Sequence, residues 1–278
     1  MSAYRFCRTD DIGLLVDALN RCWAPYVPDE PPMTAAAFKR SIRDLQIWCS
    51  SCMVAFSGSD PIAILIGAKR SSATLIHRIA VHPEHVRQGH GRHLLTSLSS
   101  KLAILGPPRI VAEVPELVTS ACSLFQACGY VQEAVLTDYV FDGERRDAGE
   151  IAGRFVIPVT VNDLIANGLF GEGQPQVCWE RSVETLTARK DAIAGLAVAT
   201  DEQIEAYILY VQPGEILRLD SLVDDGGARL KLLLSRTSAG PFLLPKVHPT
   251  EIPESLLKNL GFQATRRYEL YAATARPQ

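Results

Sequence analysis

The feature that most constrains this chain is a repeat of its own element order. SACSLFQACGY (120–130) and IPESLLKNLGF (252–262) each read as a helix closed by glycine and an aromatic residue. Each follows a run of strand, strand, strand, helix, strand. The first run is CMVAFS, PIAILIGAKR, TLIHRIAVHP, a helix from His90, and RIVAEV; the second is AGLAVAT, IEAYILY, EILRLDSL, ARLKLLLSRT and PFLLPKV. A last strand follows each, AVLTDYVFD and ATRRYELYA. Period-2 and period-3.6 apolar spacing alternate here in one chain, which predicts a mixed α/β sheet, and self-similarity at this scale predicts an internal duplication.

The first run is preceded by a strand, AYRFCR, and a helix with Ile12, Leu15, Val16 and Leu19 on one face. WAPYVPDEPPM, with four prolines, then breaks the pattern before a second helix near Thr34. From His90 onward Leu94, Leu95, Leu98, Leu102 and Leu105 recur at helical spacing until Gly106-Pro107-Pro108. DGERRDAGE, Asp142 to Glu150, is charged and aperiodic and reads as a linker. These signals divide the chain of 278 residues into domains at 1–145 and 151–278.

Composition excludes several classes of function. A net charge of −3 with mixed signs gives no footprint for nucleic acid and no polybasic patch for a membrane. No apolar run is long enough to span a bilayer and the start lacks the pattern of a secretion signal, so a cytoplasmic protein with a small-molecule partner is expected. Seven scattered cysteines argue against a disulfide framework. Cys49 and Cys52 form a C-x-x-C without a second pair at zinc spacing, and two small apolar side chains are the plainer reading.

VHPEHVRQGHGRHLL, Val81 to Leu95, holds four of the six histidines, with His77 just before it. A strand ends at Pro83, a loop carries Gly89 and Gly91, and a helix begins at once. Backbone N–H groups of such a turn, with the positive end of the helix, form a cradle for phosphate oxygens. Arg87, Gln88 and Arg92 add charge and donors. A metal site would need ligands converging on one point; His82, His85, His90 and His93 are expected to point in different directions from strand, loop and helix, so no metal is expected.

The stretch IAVHPEHVRQGHGRHLL resembles the acyl-CoA-binding segment of the GNAT family of N-acetyltransferases, through Val81, Pro83, Gly89, Gly91, Arg92, Leu94 and Leu95. SLFQACGY resembles a later helix of that family. The resemblance covers about residues 3 to 141 and, more faintly, the second half, implying two GNAT-like domains in tandem, each a mostly antiparallel mixed sheet flanked by helices. It implies acetyl-CoA as co-substrate, held by Ile79, Ala80, Val81, Val86, Arg87, Gln88, Gly89, His90, Gly91, Arg92 and Phe125, and a homodimer as one assembly open to it.

It further implies direct attack of a primary amine on the thioester. Leu75 stands where many members place a glutamate base; in the branch of serotonin N-acetyltransferases a strand histidine matches His77, which strand alternation would put on the side of Ile79 and Val81. Three departures stand out. Val86 replaces a usual Arg or Gln, Phe125 a tyrosine acid, and Val118 a frequent asparagine. Trp23 and Tyr26 are candidates for the walls of an acceptor pocket, with Asp29 and Glu30 to attract an ammonium group. The second copy lacks the glycine turn and puts Asp224 and Asp225 where a diphosphate would lie, so it should not bind CoA. The alternative function is a catalytically silent acyl-CoA sensor or scaffold.

Overall fold

The computed structural model describes residues 2–142, 154–170, 176–212, 214–237 and 240–277; the expected linker, from residue 143 on, lies outside them. The first series runs β1 (Ser2–Phe6), α1 (Ile12–Cys22), α2 (Ala35–Leu45), β2 (Met53–Ser57), β3 (Asp60–Lys69), β4 (Thr74–Val81), α3 (His90–Leu105), β5 (Arg109–Pro115), α4 (Thr119–Ala127), β6 (Val131–Phe141). The second runs β7 (Phe155–Pro158), α5 (Val161–Ala166), α6 (Val183–Ala188), β8 (Ala194–Ala199), β9 (Ile204–Val211), β10 (Glu215–Ser221), α7 (Ala228–Arg236), β11 (Phe242–Val247), α8 (Glu254–Leu260), β12 (Phe262–Thr274). The two series agree element for element, which extends the repeat to β7, α5 and α6. Those three short elements, of four to six residues, span too little chain to show a clear period.

The chain forms two compact units, one of residues up to Glu133 together with Glu269 onward, the other Ala134–Tyr268. The division therefore falls at Glu133/Ala134 rather than near 145, and the C-terminal ten residues return to the first unit. In the first unit the sheet order is β1-β2-β3-β4-β5, completed by the end of β12 rather than by β6. In the second it is β6-β11-β10-β9-β8-β7. β6 pairs antiparallel with β11 through Phe141↔Phe242 and Val140↔Leu243. AVLTDYVFD and ATRRYELYA carry similar strand signals, so the sequence does not say which series each one completes.

Local chemistry explains the elements that frame the site. The β2–β3 hairpin turns at Gly58, whose φ of 61° suits glycine, between the paired Ser57 and Asp60. α3 buries Leu94, Leu95, Leu98 and Leu102 against Ile76, Ile110, Ala112 and Phe125. Leu105 departs from that stripe and is 67% exposed, because the helix stops at Gly106 before it is covered. In the second unit, Ile208, Ile216, Leu230, Leu233 and Leu257 form the equivalent core.

Candidate active site: a helix N-terminus beside two parting strands

β4 and β5 run parallel, paired at Thr74↔Ile110, Leu75↔Val111 and Ile76↔Ala112. Beyond that register β4 continues to Val81 and β5 to Pro115, so the strands part. On its other edge β4 keeps its partner: Ile79 opposes Leu65, Ala80 opposes Ile64 and Val81 opposes Ala63. Since N–H groups of an antiparallel strand point alternately to either edge, part of the 77–81 backbone faces the split.

The register with β3 shifts where Ile66 opposes Arg78 and Gly67 opposes Ile76, leaving His77 as the extra residue of a β-bulge. The bulge corrects the alternation argument. Ile76 shares a core with Ile79 and Val81, three and five residues further on, which strict alternation forbids. His77 is half-buried at this break. A Cβ on Gly67 would meet the Ser51 carbonyl oxygen at 2.5 Å, so glycine is what lets the chain approach the bulge.

The cradle follows β4. A 3₁₀ turn, Pro83–His85, leads through Val86, Arg87, Gln88 and Gly89, all exposed, into α3. Arg87 (φ 63°) and Gly89 (φ 87°) lie in the left-handed region, a geometry that gathers successive N–H groups toward one side. The N-cap of α3 is Gly89, which has no side chain with which to cap the helix. Its first-turn N–H groups and dipole end are therefore available to an anion. Gly91 has a different reason to be glycine from the one its motif suggests: a Cβ there would meet Leu124 Cδ2 of α4 at 2.9 Å. Arg92 is exposed.

The histidines divide. His90 is buried, and its Nδ1 lies 2.6 Å from the Tyr4 hydroxyl. Burial, then the neighbouring His85 and His93, lowers its pKa. The His93 ring lies against that of Tyr4, 3.8 Å between centres and tilted by 35°. These two serve the packing of α3 on β1. His82 and His85, however, do not diverge as expected. Their rings lie 5.9 Å apart across the 3₁₀ turn.

Phe125 is 2% exposed and belongs to the core. Its ring stacks on Tyr271 at 5.7 Å and meets Tyr130 edge-on at 5.1 Å. The Tyr271 hydroxyl accepts from Gln126 Nε2 at 3.0 Å and donates to Glu269. Burial raises the Tyr271 pKa, and the hydrogen bond to Glu269 adds to the effect. A phenol thus reaches α4 from the far end of the chain, but it is fully buried and engaged. Val118 is exposed at the start of α4.

On the other face, Tyr26 donates to the Val81 carbonyl at 2.7 Å, tying the α1–α2 loop to the end of β4. Trp23 is half-buried beneath the Arg78 guanidinium, 4.9 Å from the ring centre, and Arg78 reaches Glu30 at 3.8 Å. The structure thus brings Trp23, Tyr26 and Glu30 to the strand that carries His77. Sequence reasoning missed Arg78; the signal was an arginine inside the apolar run TLIHRIAV. Cys49 and Cys52 are buried, and burial pushes the Cys52 thiol far up, so it stays protonated and unreactive.

The second unit holds the same two features, each filled from within. The Asp225 carboxylate caps α7, accepting from Gly227 N at 2.9 Å and Arg229 N at 3.0 Å, and from the Arg229 side chain at 2.7 Å. β10 and β11, parallel and paired at Glu215↔Leu243, are bridged just beyond by Arg181. Its guanidinium donates to Leu217 O at 3.0 Å and Pro245 O at 2.9 Å, and its charge is met by Glu251.

A helix N-terminus at the mouth of two parting parallel strands thus occurs in both units, and in the second it is filled by that unit's own side chains. Residues 15–130 match the model of the acetyltransferase (GNAT) family. Those residues, all within the first unit, carry a domain of that family of acyltransferases, and the whole chain has a tandem GNAT fold. Similar solved structures include a tandem GNAT protein from the clavulanic acid biosynthesis pathway (TM-score 0.68, 16% identity, covering 100% of both chains). A GCN5-related N-acetyltransferase from Sphaerobacter thermophilus is also similar (TM-score 0.71, 15% identity, 99% of this chain and 96% of that one). So is a GCN5-related N-acetyltransferase from Anabaena variabilis (TM-score 0.68, 12% identity, 99% and 73%). No curated protein sequence matches the chain. Among the described residues, no helix is long and apolar enough to cross a membrane.

Proposed function

We propose that the first unit transfers an acetyl group from acetyl-CoA to a primary amine of a small molecule or peptide, and that the second copy is structural. The observation that carries this reading is the contrast between α3, uncapped beside an open strand split, and α7, capped by Asp225 beside a split bridged by Arg181. An internal carboxylate already takes the place of a phosphate oxygen in the second copy.

The diphosphate would be held by backbone N–H groups around Arg87 to Gly91, with Arg87 and Arg92 adding charge. The pantetheine arm would lie along the open edge of Ile79, Ala80 and Val81, and donors on that edge would stabilise the oxyanion that develops on the thioester oxygen. His77 is the proposed general base. An imidazole with a pKa near working pH removes the proton from an ammonium, directly or through water, so that the neutral amine can attack. The carbon–nitrogen bond forms, the carbon–sulfur bond breaks, and the departing thiolate takes its proton from water, since Phe125 has no hydroxyl to give. Trp23, Tyr26, Arg78 and Glu30 would wall the acceptor side. Seven unpaired cysteines favour a reducing compartment such as the cytoplasm.

Thiol release from acetyl-CoA with panels of amines, peptides and aminoglycosides tests the reading. Calorimetry should give one CoA per chain, and His77→Ala should lose turnover while keeping CoA binding. Phe125 favours a second reading, a silent acyl-CoA sensor: binding of CoA with no thiol release from any acceptor would establish it. Absence of CoA binding would end both.

A further inference from the structure

We propose that His82, Glu84 and His85 form a binding site for a divalent transition-metal ion of the zinc, copper(II), nickel or cobalt class. One ligand atom from each residue, two imidazole nitrogens and a carboxylate oxygen, lies within 4.8 Å of the other two. The reason is local. Pro83 to His85 form a 3₁₀ turn, in which residues three apart eclipse, so His82 and His85 stand on one side of it, their rings 5.9 Å apart. Pro83 fixes its own φ and favours that turn over extended chain.

The chemistry of the donors selects the ion. Two imidazoles and a carboxylate suit borderline metals at bond lengths of roughly 2.0 to 2.2 Å, whereas calcium and magnesium take oxygen ligands. His82 Nδ1 stands 4.0 Å from Glu84 Oε2 and accepts only a long bond, 3.3 Å, from the Glu84 backbone N–H. The Glu84 side chain is 82% exposed, so a rotamer change is enough to bring its carboxylate onto an ion held by the two rings.

An independent observation points the same way. His90 is 5% exposed, and its Nε2 is buried with no hydrogen-bond partner. Its ring stands edge-on to that of His85, 6.4 Å between centres, while Nδ1 is engaged by Tyr4. A buried imidazole nitrogen without a partner is costly unless a ligand completes it, and with Nδ1–H donating a hydrogen bond to the Tyr4 hydroxyl the Nε2 lone pair is left free. His90 lies outside the three-residue cluster, next to His85. The inference rests on these side chains alone and does not require that the first unit bind CoA.

The test is titration of the full, tag-free chain with Co²⁺ and Cu²⁺, followed by visible absorption, and with Zn²⁺ in competition with a chromophoric chelator. One ion per chain is expected, with affinity falling at least about tenfold in His82→Ala and in His85→Ala. His93→Gln, a change in the same histidine-rich stretch but outside the cluster, should leave it unchanged. Should either alanine variant fail to fold by circular dichroism, Glu84→Gln alters an exposed side chain and should still change the Co²⁺ spectrum and weaken binding. Absence of stoichiometric binding of any of the three ions at about 100 µM, or equal affinity in wild type, His82→Ala, His85→Ala and Glu84→Gln, overturns the proposal.

Discussion

Arg181 donates through Nε to the carbonyl oxygen of Leu217 at 3.0 Å, and through Nη1 to that of Pro245 at 2.9 Å. Both carbonyls lie two residues beyond the last pairing of β10 with β11. One guanidinium thus supplies donors to backbone groups that parted strands leave without each other, and Glu251 meets its charge. Arg218 lies near the same carboxylate, at 3.9 Å.

Arg181→Ala should therefore destabilise the second unit severely, by about 3 to 5 kcal/mol, since Glu251 stays buried with its main partner gone. Urea unfolding of the full chain measures this. Calorimetry on any folded fraction should still give one CoA per chain, because Asp225 continues to cap α7.

Asp225→Ala removes the α7 cap and should cost about 1 to 2 kcal/mol. Burial opposes ionisation of Asp225, but the Arg229 side chain and the N–H groups of Arg229 and Gly227 outweigh it and hold the pKa below the usual carboxylate value. A carboxylate stabilised in the folded state contributes fully above its unfolded pKa, and that contribution is lost as pH falls through the lower folded value. Acid unfolding of wild type and Asp225→Ala should thus converge at low pH and differ at neutral pH.

Asp11 gives a second pH test in the first unit. The hydrogen bonds from the Arg5 guanidinium, then the Arg8 N–H, lower its pKa to about 2. Its contribution is present at neutral pH and is lost as pH falls from the ordinary carboxylate range to about 2. Arg5→Met should raise the Asp11 pKa, which carboxyl chemical shifts followed through an acid titration would show.

Gly89→Ala should weaken CoA binding at least about tenfold with a stability loss of about 1 kcal/mol, because φ of 87° is unfavourable for any residue with a Cβ. Gly91→Val should be worse for stability, since its side chain must displace Leu124. Isothermal calorimetry and thermal unfolding separate the two effects.

Tyr26→Phe removes the hydrogen bond to the Val81 carbonyl and should cost about 0.5 to 1.5 kcal/mol. Loosening of the α1–α2 loop should raise KM for the amine more than KM for acetyl-CoA. Equal changes in both would count against an acceptor pocket at this loop.

Much of the fold was legible because its signals are local. The periods of α1, α3, β3 and β9, the Gly58 turn and the stop at Gly106 depend on neighbouring residues. So did the cradle, whose strand, glycine loop and helix are contiguous. β7, α5 and α6 were not, because four to six residues span less than two helical turns or a few alternations. The acid residues before α7 were visible in the sequence, but not that Asp225 itself caps the helix. Arg181, in the unremarkable run CWERS, gave no signal at all. Its role exists only where β10 and β11 diverge.

The sequence by itself determined the order of most elements, their repetition and the position of the glycine turn between β4 and α3, because helix and strand periods and glycine turns are set within a few residues. The tertiary structure decided the rest. It put His77 in a bulge against β3, gave the end of β12 to the first unit and β6 to the second, and turned His82 and His85 toward one another across a 3₁₀ turn. Strand pairing, register and the filling of a cleft are set by contacts between residues far apart in the chain, and no local pattern encodes them.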